Sequence, residues 1–312
     1  MPAVPRGLSL PAVTRTSYAG WYSGEVRRWI AVGAVLAAGV VASATAAVEI
    51  TTVARAVQPG EVVRFDVAGL EPLTTGLVRV FGQSFPLFQG GRDGHVALVG
   101  IDLDIRPGTY TATVEAGSPS TQLRTVGRKA LVVRSKAFPT RRLTVEPRFV
   151  EPPPAEATRI AAEAQRLAAL WESRTPVLWQ HPFVVPVPDP ANSAFGSRSV
   201  FNGQARSPHG GADFSSPTGR PVVAPAAGRV VLAGDLYFTG GTVVVDHGMG
   251  LLSLFAHLSA LDVDEGTPVN RGDRIGRVGA TGRVTGPHLH WTVRLAGARV
   301  DPLSLIAATT QP

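Results

Sequence analysis

The sequence predicts a mostly β protein: a β-sandwich-like domain in front, a linker with one helix, and an antiparallel β domain behind. Three observations lead there. Turn formers are abundant, with 34 glycines and 26 prolines, and they cut the chain into short elements. Short valine-rich runs with partial alternation recur between those turns. Only residues 155–171 show a helical apolar stripe of useful length.

The chain has 312 residues, of which 44% are apolar and 17% charged, a length and balance that suit two globular domains. The net charge is +7 and the pI about 10.6. A basic balance suits nucleic acid, an anionic membrane surface or the anionic bacterial wall. The positive residues form no dense run and no nucleic-acid module, so nucleic acid is not an expected partner. There is no cysteine, which excludes disulfides and thiol catalysis. Any metal site must therefore use imidazole and carboxylate.

Residues 1–46 are expected to be a signal peptide or N-terminal anchor. Arg27 and Arg28 precede an apolar run from Trp29 to Val41, and small residues follow in Ala42-Ser43-Ala44-Thr45-Ala46-Ala47. Positive flank, apolar core and Ala-x-Ala tail are the parts of a signal peptide, with cleavage after Ala44 or Ala46. Left uncleaved, residues 29–47 would anchor the chain in a membrane. Either way the remainder is exported, to the periplasm or cell envelope.

Residues 48–135 read as the sandwich-like domain. Strands are expected at Val62–Val67, Leu77–Phe81 and Thr109–Val114, with turns at Pro59-Gly60, Gly90-Gly91 and Pro107-Gly108. His95 stands alone and reads as a surface or packed residue. Residues 136–194 form the linker. Pro152-Pro153-Pro154 ends what precedes it, and Ala155–Trp171 puts Ile160, Leu167, Leu170 and Trp171 on one helical face. His181 lies in proline-broken extended chain and reads as packing.

Residues 195–306 form the last domain, expected to be nearly all β. Gly228–Ala233 and Thr242–His247 are strands. Leu251–His257 returns antiparallel after the Gly248-Met249-Gly250 turn. Pro268–Val278 adds a strand around Gly272. His247, at a strand end before a glycine turn, reads as structural.

Five of the seven histidines fall between Ser207 and Trp291, and four of these are candidates for chemistry: His209, His257, His288 and His290. His288 and His290 are two apart, so on a strand both rings look to one face. His209 and Asp213 are four apart across Gly210-Gly211, where a turn brings them together. His209, Asp213 and one histidine of the later pair would give three ligands and leave a fourth position for water.

Residues 195–305 resemble the zinc peptidase domain of the lysostaphin/LytM type. The resemblance rests on Phe195-Gly196-x-Arg198, His209-Gly210-Gly211-Ala212-Asp213, Pro221-Val222-Val223-Ala224, Gly228-Arg229-Val230, His247-Gly248 and Ala256-His257-Leu258. It continues through Gly272-Asp273, Ile275-Gly276, Gly279-x-Thr281-Gly282 and Gly286-Pro287-His288-Leu289-His290. It implies that His209, Asp213 and His290 hold one Zn2+ and that His257 and His288 are catalytic, without dividing the tasks between them. Phe255 stands where that family often has tyrosine, which alters a hydrogen bond and removes no ligand. The implied activity is zinc-dependent hydrolysis of peptide crosslinks in bacterial peptidoglycan by metal-activated water, with peptide stems and crosslinks as partners. The alternative is a non-hydrolytic wall-binding or regulatory module that activates a partner hydrolase. Relatives of that kind usually lack one or more site residues, and here all five are present.

Overall fold

Among the described residues, eight strands build the front lobe: β1 (Glu49–Val53), β2 (Val62–Ala68), β3 (Thr75–Val80), β4 (Gln83–Pro86), β5 (Phe88–Gly90), β6 (Gly94–Gly100), β7 (Gly108–Gly117) and β8 (Arg124–Val133). The structure, a computed structural model, describes residues 47–72, 74–90, 94–144, 150–180, 182–192 and 195–310. The signal or anchor expected in residues 1–46 and the packing expected of His181 lie outside the described residues. Among the described residues no helix is long and apolar enough to cross a membrane.

The strands form two antiparallel sheets in the orders β1-β2-β6-β5 and β4-β3-β7-β8. Alternation puts Val63, Phe65 and Val67 of β2 and Ala97 and Val99 of β6 inside, against Val78, Val80, Val114, Leu131 and Val133 of the other sheet. Val62 and Leu98 break the alternation, since they are buried on the opposite face. The second lobe covers them there. Val62 N donates to Ser304 Oγ at 2.8 Å. A Cβ on Gly100 would come within 3.0 Å of Val300 and 3.1 Å of Ala298.

The connection is less of a free linker than its composition suggests. β9 (Thr140–Leu143), which was not expected, pairs in parallel with β10 (Arg198–Phe201). The helix is found as α1 (Ala157–Trp171), entered through a 3-10 turn at Pro154–Glu156. Leu167, Leu170 and Trp171 pack on Leu232, Leu236, Val244, Leu252, Leu254 and Ala256, which is the docking its apolar stripe requires. The proline-rich chain after it straps along the main sheet. Leu178 N bonds His247 O, Val184 N bonds Pro225 O, and Phe183 and Val187 are buried.

The remaining elements are β11 (Gln204–Ala205), β12 (Gly211–Phe214), β13 (Pro221–Val223), β14 (Gly228–Leu236), β15 (Gly240–Gly248), β16 (Leu251–Leu261), β17 (Pro268–Val269), β18 (Arg274–Val278), β19 (Leu289–Leu295), β20 (Ala298–Val300) and α2 (Pro302–Thr310). A nine-stranded sheet runs β12-β19-β16-β15-β14-β17, with β13, β18 and β20 attached. The expected hairpin is present: β15 and β16 pair antiparallel, and Met249 at φ 56° and Gly250 at φ 75° close the turn. One expectation needs correction, and the nearly all-β lobe holds with one exception. Residues 268–278 are two strands, because Gly272 at φ 91° turns the chain between them. The lobe is not free of helix, because Asp301 starts α2: its Oδ1 accepts the Leu303 N–H at 3.0 Å, and Pro302 occupies the first helical position.

His247 is fully buried. Its Nδ1–H donates to Ala227 O at 2.9 Å, and Ser253 Oγ–H donates to its Nε2 at 3.0 Å. A carbonyl only accepts, so the pairing places the proton of the neutral ring on Nδ1. Burial pushes its pKa from 6.5 down to about 4, against the opposing Ala227 carbonyl and Asp246 charge. Between those values the unfolded chain binds a proton that the folded chain refuses. Stability is therefore complete above about pH 6.5 and falls as the pH drops toward 4. At 1.36 kcal/mol per pH unit the loss from this ring should reach about 2 kcal/mol by pH 5. Urea melts of wild type and His247→Asn at pH 7 and pH 5 check this. The variant, whatever its stability at pH 7, should lose less on acidification by about that amount.

Candidate metal centre

The centre is built on one strand pair. β12 and β19 pair antiparallel with Asp213 opposite His290 and Ala212 opposite Trp291. Directly opposed residues share a face, with Cβ atoms about 5 Å apart. Asp213 Oδ1 lies 2.8 Å from His290 Nδ1. His209, just before β12, brings Nε2 to 3.0 Å from Asp213 Oδ1 and 3.1 Å from His290 Nδ1. Gly211 makes the approach possible. A Cβ there would sit 2.4 Å from Trp291 O and 2.9 Å from the His290 ring, so a side chain would force the strands apart.

Three atoms with lone pairs thus face one point, with at most one or two protons to share among them. A cation at that point satisfies all three together. Their separations of 2.8–3.1 Å are close to the roughly 3.3 Å between ligands at the corners of a zinc tetrahedron with bonds of about 2.0–2.1 Å. Two imidazoles and a carboxylate are also the donor types a catalytic divalent ion takes. His209, Asp213 and His290 are the metal-capable group found among the described residues. The residues present fit a metal ion.

Electrostatics agree with an ionised carboxylate. Burial alone would raise the Asp213 pKa, but the hydrogen bonds and charge of His209 and His290 outweigh it and hold the group well below the usual carboxylate range. Burial pushes the His290 ring below its ordinary value, against the pull of Asp213, so it offers a lone pair at neutral pH. Its other nitrogen, Nε2, is 2.8 Å from Thr292 Oγ1, the kind of outer partner that fixes the ring and its tautomer.

His257 and His288 complete the cluster. Their ring centroids are 4.8 Å apart, and His257 is 6.0 Å from His290. His288 precedes β19, its N bonded to Gly279 O, and its Nε2 is 3.9 Å from Asp213 Oδ1. His257 reaches the cleft by a departure from alternation. Ala256 is opposite His290 and Phe255 opposite Trp291, so a regular strand would aim His257 into the core beside Phe255. Instead β16 carries an extra residue between Phe255 and Leu258 relative to Val243 and Gly241, and His257 sits at φ 65°. The bulge and the left-handed backbone turn the ring to the site side. In both rings Nδ1–H is tied to a carbonyl at 2.9 Å, Thr281 O for His257 and Gly286 O for His288. Nε2 is left on the side of the cleft. Burial pushes the His257 pKa down to about 4, with the neighbouring His290 and His288 adding to the fall and Thr281 O and Asp213 opposing it.

These groups line a cleft of about 380 Å³ with Phe201, Phe238, Thr239, Arg283, Val284 and Thr285. The structure brings together all five residues singled out in the sequence. The wall residues Phe238 and Thr239 were not anticipated. They sit on the β14–β15 turn, which has no chemical signature. The 281–286 loop was visible as a glycine- and threonine-rich stretch, but its use of carbonyls to hold two rings was not.

Residues 207–302 match Peptidase family M23. A crystal structure from Pseudomonas aeruginosa, described as a candidate M23 peptidase, superposes with a TM-score of 0.64 at 36% identity, covering 81% of this chain and 96% of that one. That coverage extends well beyond the family segment. Among curated proteins, the peptidoglycan DD-endopeptidase ShyA of Vibrio cholerae is 43% identical over 96 residues, 31% of this chain and 22% of the relative. The DD-carboxypeptidase/endopeptidase Mpg of Neisseria meningitidis is 43% identical over 103 residues, 33% of this chain and 24% of the relative. The matched stretch therefore spans about a quarter of those relatives. A mostly antiparallel β fold with a His/Asp cluster in an open cleft defines a metallopeptidase class of site. The chain belongs to peptidase family M23.

The Thr292 contact gives a test of the centre that needs no substrate. Thr292→Val keeps the shape of the side chain and removes the partner of His290 Nε2. Divalent-ion affinity should fall by about 10–100-fold, measured by competition with a chelator, with little change in the fold by circular dichroism.

Proposed function

We propose that the protein is an exported zinc endopeptidase that hydrolyses peptide crosslinks of bacterial peptidoglycan, with residues 195–306 as the hydrolytic part. The observation that carries this is the convergence of His209 Nε2, Asp213 Oδ1 and His290 Nδ1 in an open cleft beside two further imidazoles. The names of the ShyA and Mpg relatives support the substrate and favour the D,D crosslink as the bond. Export is supported by the signal-like residues 1–46 and by a substrate that lies outside the cytoplasm.

His209, Asp213 and His290 would hold the zinc. When bound it supplies Lewis acidity, polarising a peptide carbonyl and making a water acidic enough to ionise near neutral pH. The chain's own residues do the rest. Each of His257 and His288 is oriented by a backbone carbonyl, so its Nε2 is the nitrogen available to reacting atoms. His257, with its pKa pushed down to about 4, is neutral at pH 7 and suited to accept a hydrogen bond or a proton from water. His288, 3.9 Å from Asp213, has its Nδ1–H on Gly286 O, so its Nε2 can donate to the developing oxyanion or to the leaving amine once the ring has taken up a proton there. Phe201 and Phe238 line the same cleft and offer apolar surface to a bound peptide.

Comparing His288→Ala with His290→Ala tests the assignment. Wild type should carry one zinc per chain and release fragments from purified sacculi. H290A should lose both zinc and activity. H288A should keep zinc and lose about 10²–10⁴ in rate. Loss of zinc in H288A would show that ligand and catalyst are assigned wrongly. A zinc-loaded wild type that cuts no wall or crosslinked peptide would favour the regulatory reading instead.

A further inference from the structure

Helix α1 belongs to the connection between the lobes, and nothing in the hydrolytic reading uses it. Its contacts nevertheless run to the cleft. Glu163 is largely buried, with 17% of its side chain exposed. Its Oε2 accepts the backbone N–H of Tyr237 at 2.8 Å, across 74 residues of sequence. Its Oε1 accepts from Arg159 Nε at 2.7 Å, and Arg159 in turn donates to Asp235 Oδ2 at 3.0 Å. The helix thus holds Asp235 and Tyr237, the residues that lead into the β14–β15 turn.

That turn is the cleft wall. Phe238 and Thr239 follow Tyr237 directly and line the cleft. Phe238 O accepts the Arg283 N–H at 2.9 Å, and Thr239 O accepts the His257 N–H at 2.8 Å. The next residue, Gly240, is crowded against the loop whose carbonyl orients His257: a Cβ on it would lie 2.3 Å from Thr281 Oγ1. His257 needs such support, because its left-handed φ of 65° is a conformation a side-chain-bearing residue keeps only when its surroundings hold it. Two hydrogen bonds hold it: its N–H to Thr239 O and its Nδ1–H to Thr281 O. Both acceptors sit at the junction braced from outside through Tyr237.

We propose that Glu163 is a positioning residue for hydrolysis: by holding the Tyr237 amide it fixes the Phe238–Thr239 wall and, through Thr239 O, the strained backbone of His257. The proposal rests on the reading of His257 as catalytic. It makes the connecting helix a part of the hydrolytic site, coupled to it by a carboxylate that touches neither metal ligand nor substrate.

The experiment compares Glu163→Met, Glu163→Gln and Arg166→Ala in the full chain. E163M keeps the stem and the helix and removes the acceptor; E163A replaces it if the longer side chain disturbs packing. E163Q keeps an oxygen for the Tyr237 N–H. R166A removes the exposed pair of the same helix with Glu265 and leaves the turn untouched. Three quantities are read: bound zinc, hydrogen exchange of the His257 amide, and kcat and KM on crosslinked peptidoglycan fragments. In E163M the His257 amide should exchange roughly tenfold faster and kcat fall by roughly tenfold or more, with zinc and KM nearly unchanged, since small misplacements of a reacting group cost rate steeply. E163Q and R166A should behave as wild type. Wild-type exchange and kcat in E163M would overturn the proposal, as would equal defects in E163M and E163Q or in E163M and R166A. The exchange measurement needs no turnover. If wild type hydrolyses nothing, it still decides whether Glu163 holds His257, and the loss falls on the functional reading alone.

Discussion

The centre depends on one register. Asp213 and His290 face each other across β12 and β19, and a slip of β19 by one residue would turn His290 to the other face of the sheet from Asp213. What forbids the slip is the next pair along. Trp291 is fully buried, with its ring parallel to Phe255 at 6.2 Å and near Phe214 at 6.4 Å. A tryptophan buries about 150–250 Å², worth roughly 4–6 kcal/mol at 25 cal/mol per Å². Slipping would expose that ring and bury His290. The apolar residue beside each metal-capable side chain therefore holds that side chain in place, and Gly211 lets the strand edge come close enough for the three atoms to meet.

The residues of the site were legible in the sequence because their spacing carries chemistry. His288 and His290 share a face by strand period, and His209-Gly210-Gly211-Ala212-Asp213 joins two ligand types through the glycine that β12 needs. The pairing of Asp213 with a histidine 77 positions away was not legible as geometry, because cross-strand register is set by packing rather than by local pattern. His257 shows the limit more sharply. Spacing marks it as a candidate, yet strict alternation from Phe255 in this leucine-rich strand would aim its ring into the core. Only the bulge and the left-handed backbone bring it to the cleft, and neither leaves a mark in the order Phe255-Ala256-His257-Leu258. Helix α2 was missed for another reason. It is nine residues long and apolar on several sides, so it lacks the stripe that made α1 visible. The Asp301-Pro302 start was its only local sign.

The two lobes share one continuous apolar core, and charged groups frame their contact. Arg55 bridges Glu61 of the front lobe to Asp301 of the back lobe at 2.9 and 2.7 Å, and Lys136 reaches the same Glu61 at 2.9 Å. Arg299 grips Asp102 through its side chain and its backbone N–H. Burial would raise the Glu61 carboxyl, but Arg55 and Lys136 outweigh it and keep the pKa low. Buried pairs of this kind recover little more than their desolvation cost. Their effect is to fix how the lobes meet, while the apolar contacts around Val62, Leu98 and Val300 supply the stability.

The location of that contact determines what the front lobe can do. It meets Leu295, Ala298 and Val300, at the far end of β19 from His290. Five residues at about 3.3 Å each place the two ends roughly 16 Å apart. A second contact lies behind His209: Gly60, at φ 88°, is packed so tightly on Phe195 that a Cβ would fall 2.4 Å from the ring. Phe195 is followed by Gly196, whose N–H bonds His209 O at 2.8 Å. Both contacts lead through the backbone to His209 and His290, and neither residue of the front lobe is among those lining the cleft. Such a lobe braces the strand ends that carry His209 and His290 from behind. On the other side of the cleft α1 holds the wall through Tyr237, so the His209–Asp213–His290 cluster and the strained His257 are supported by parts of the chain that do not line the cleft.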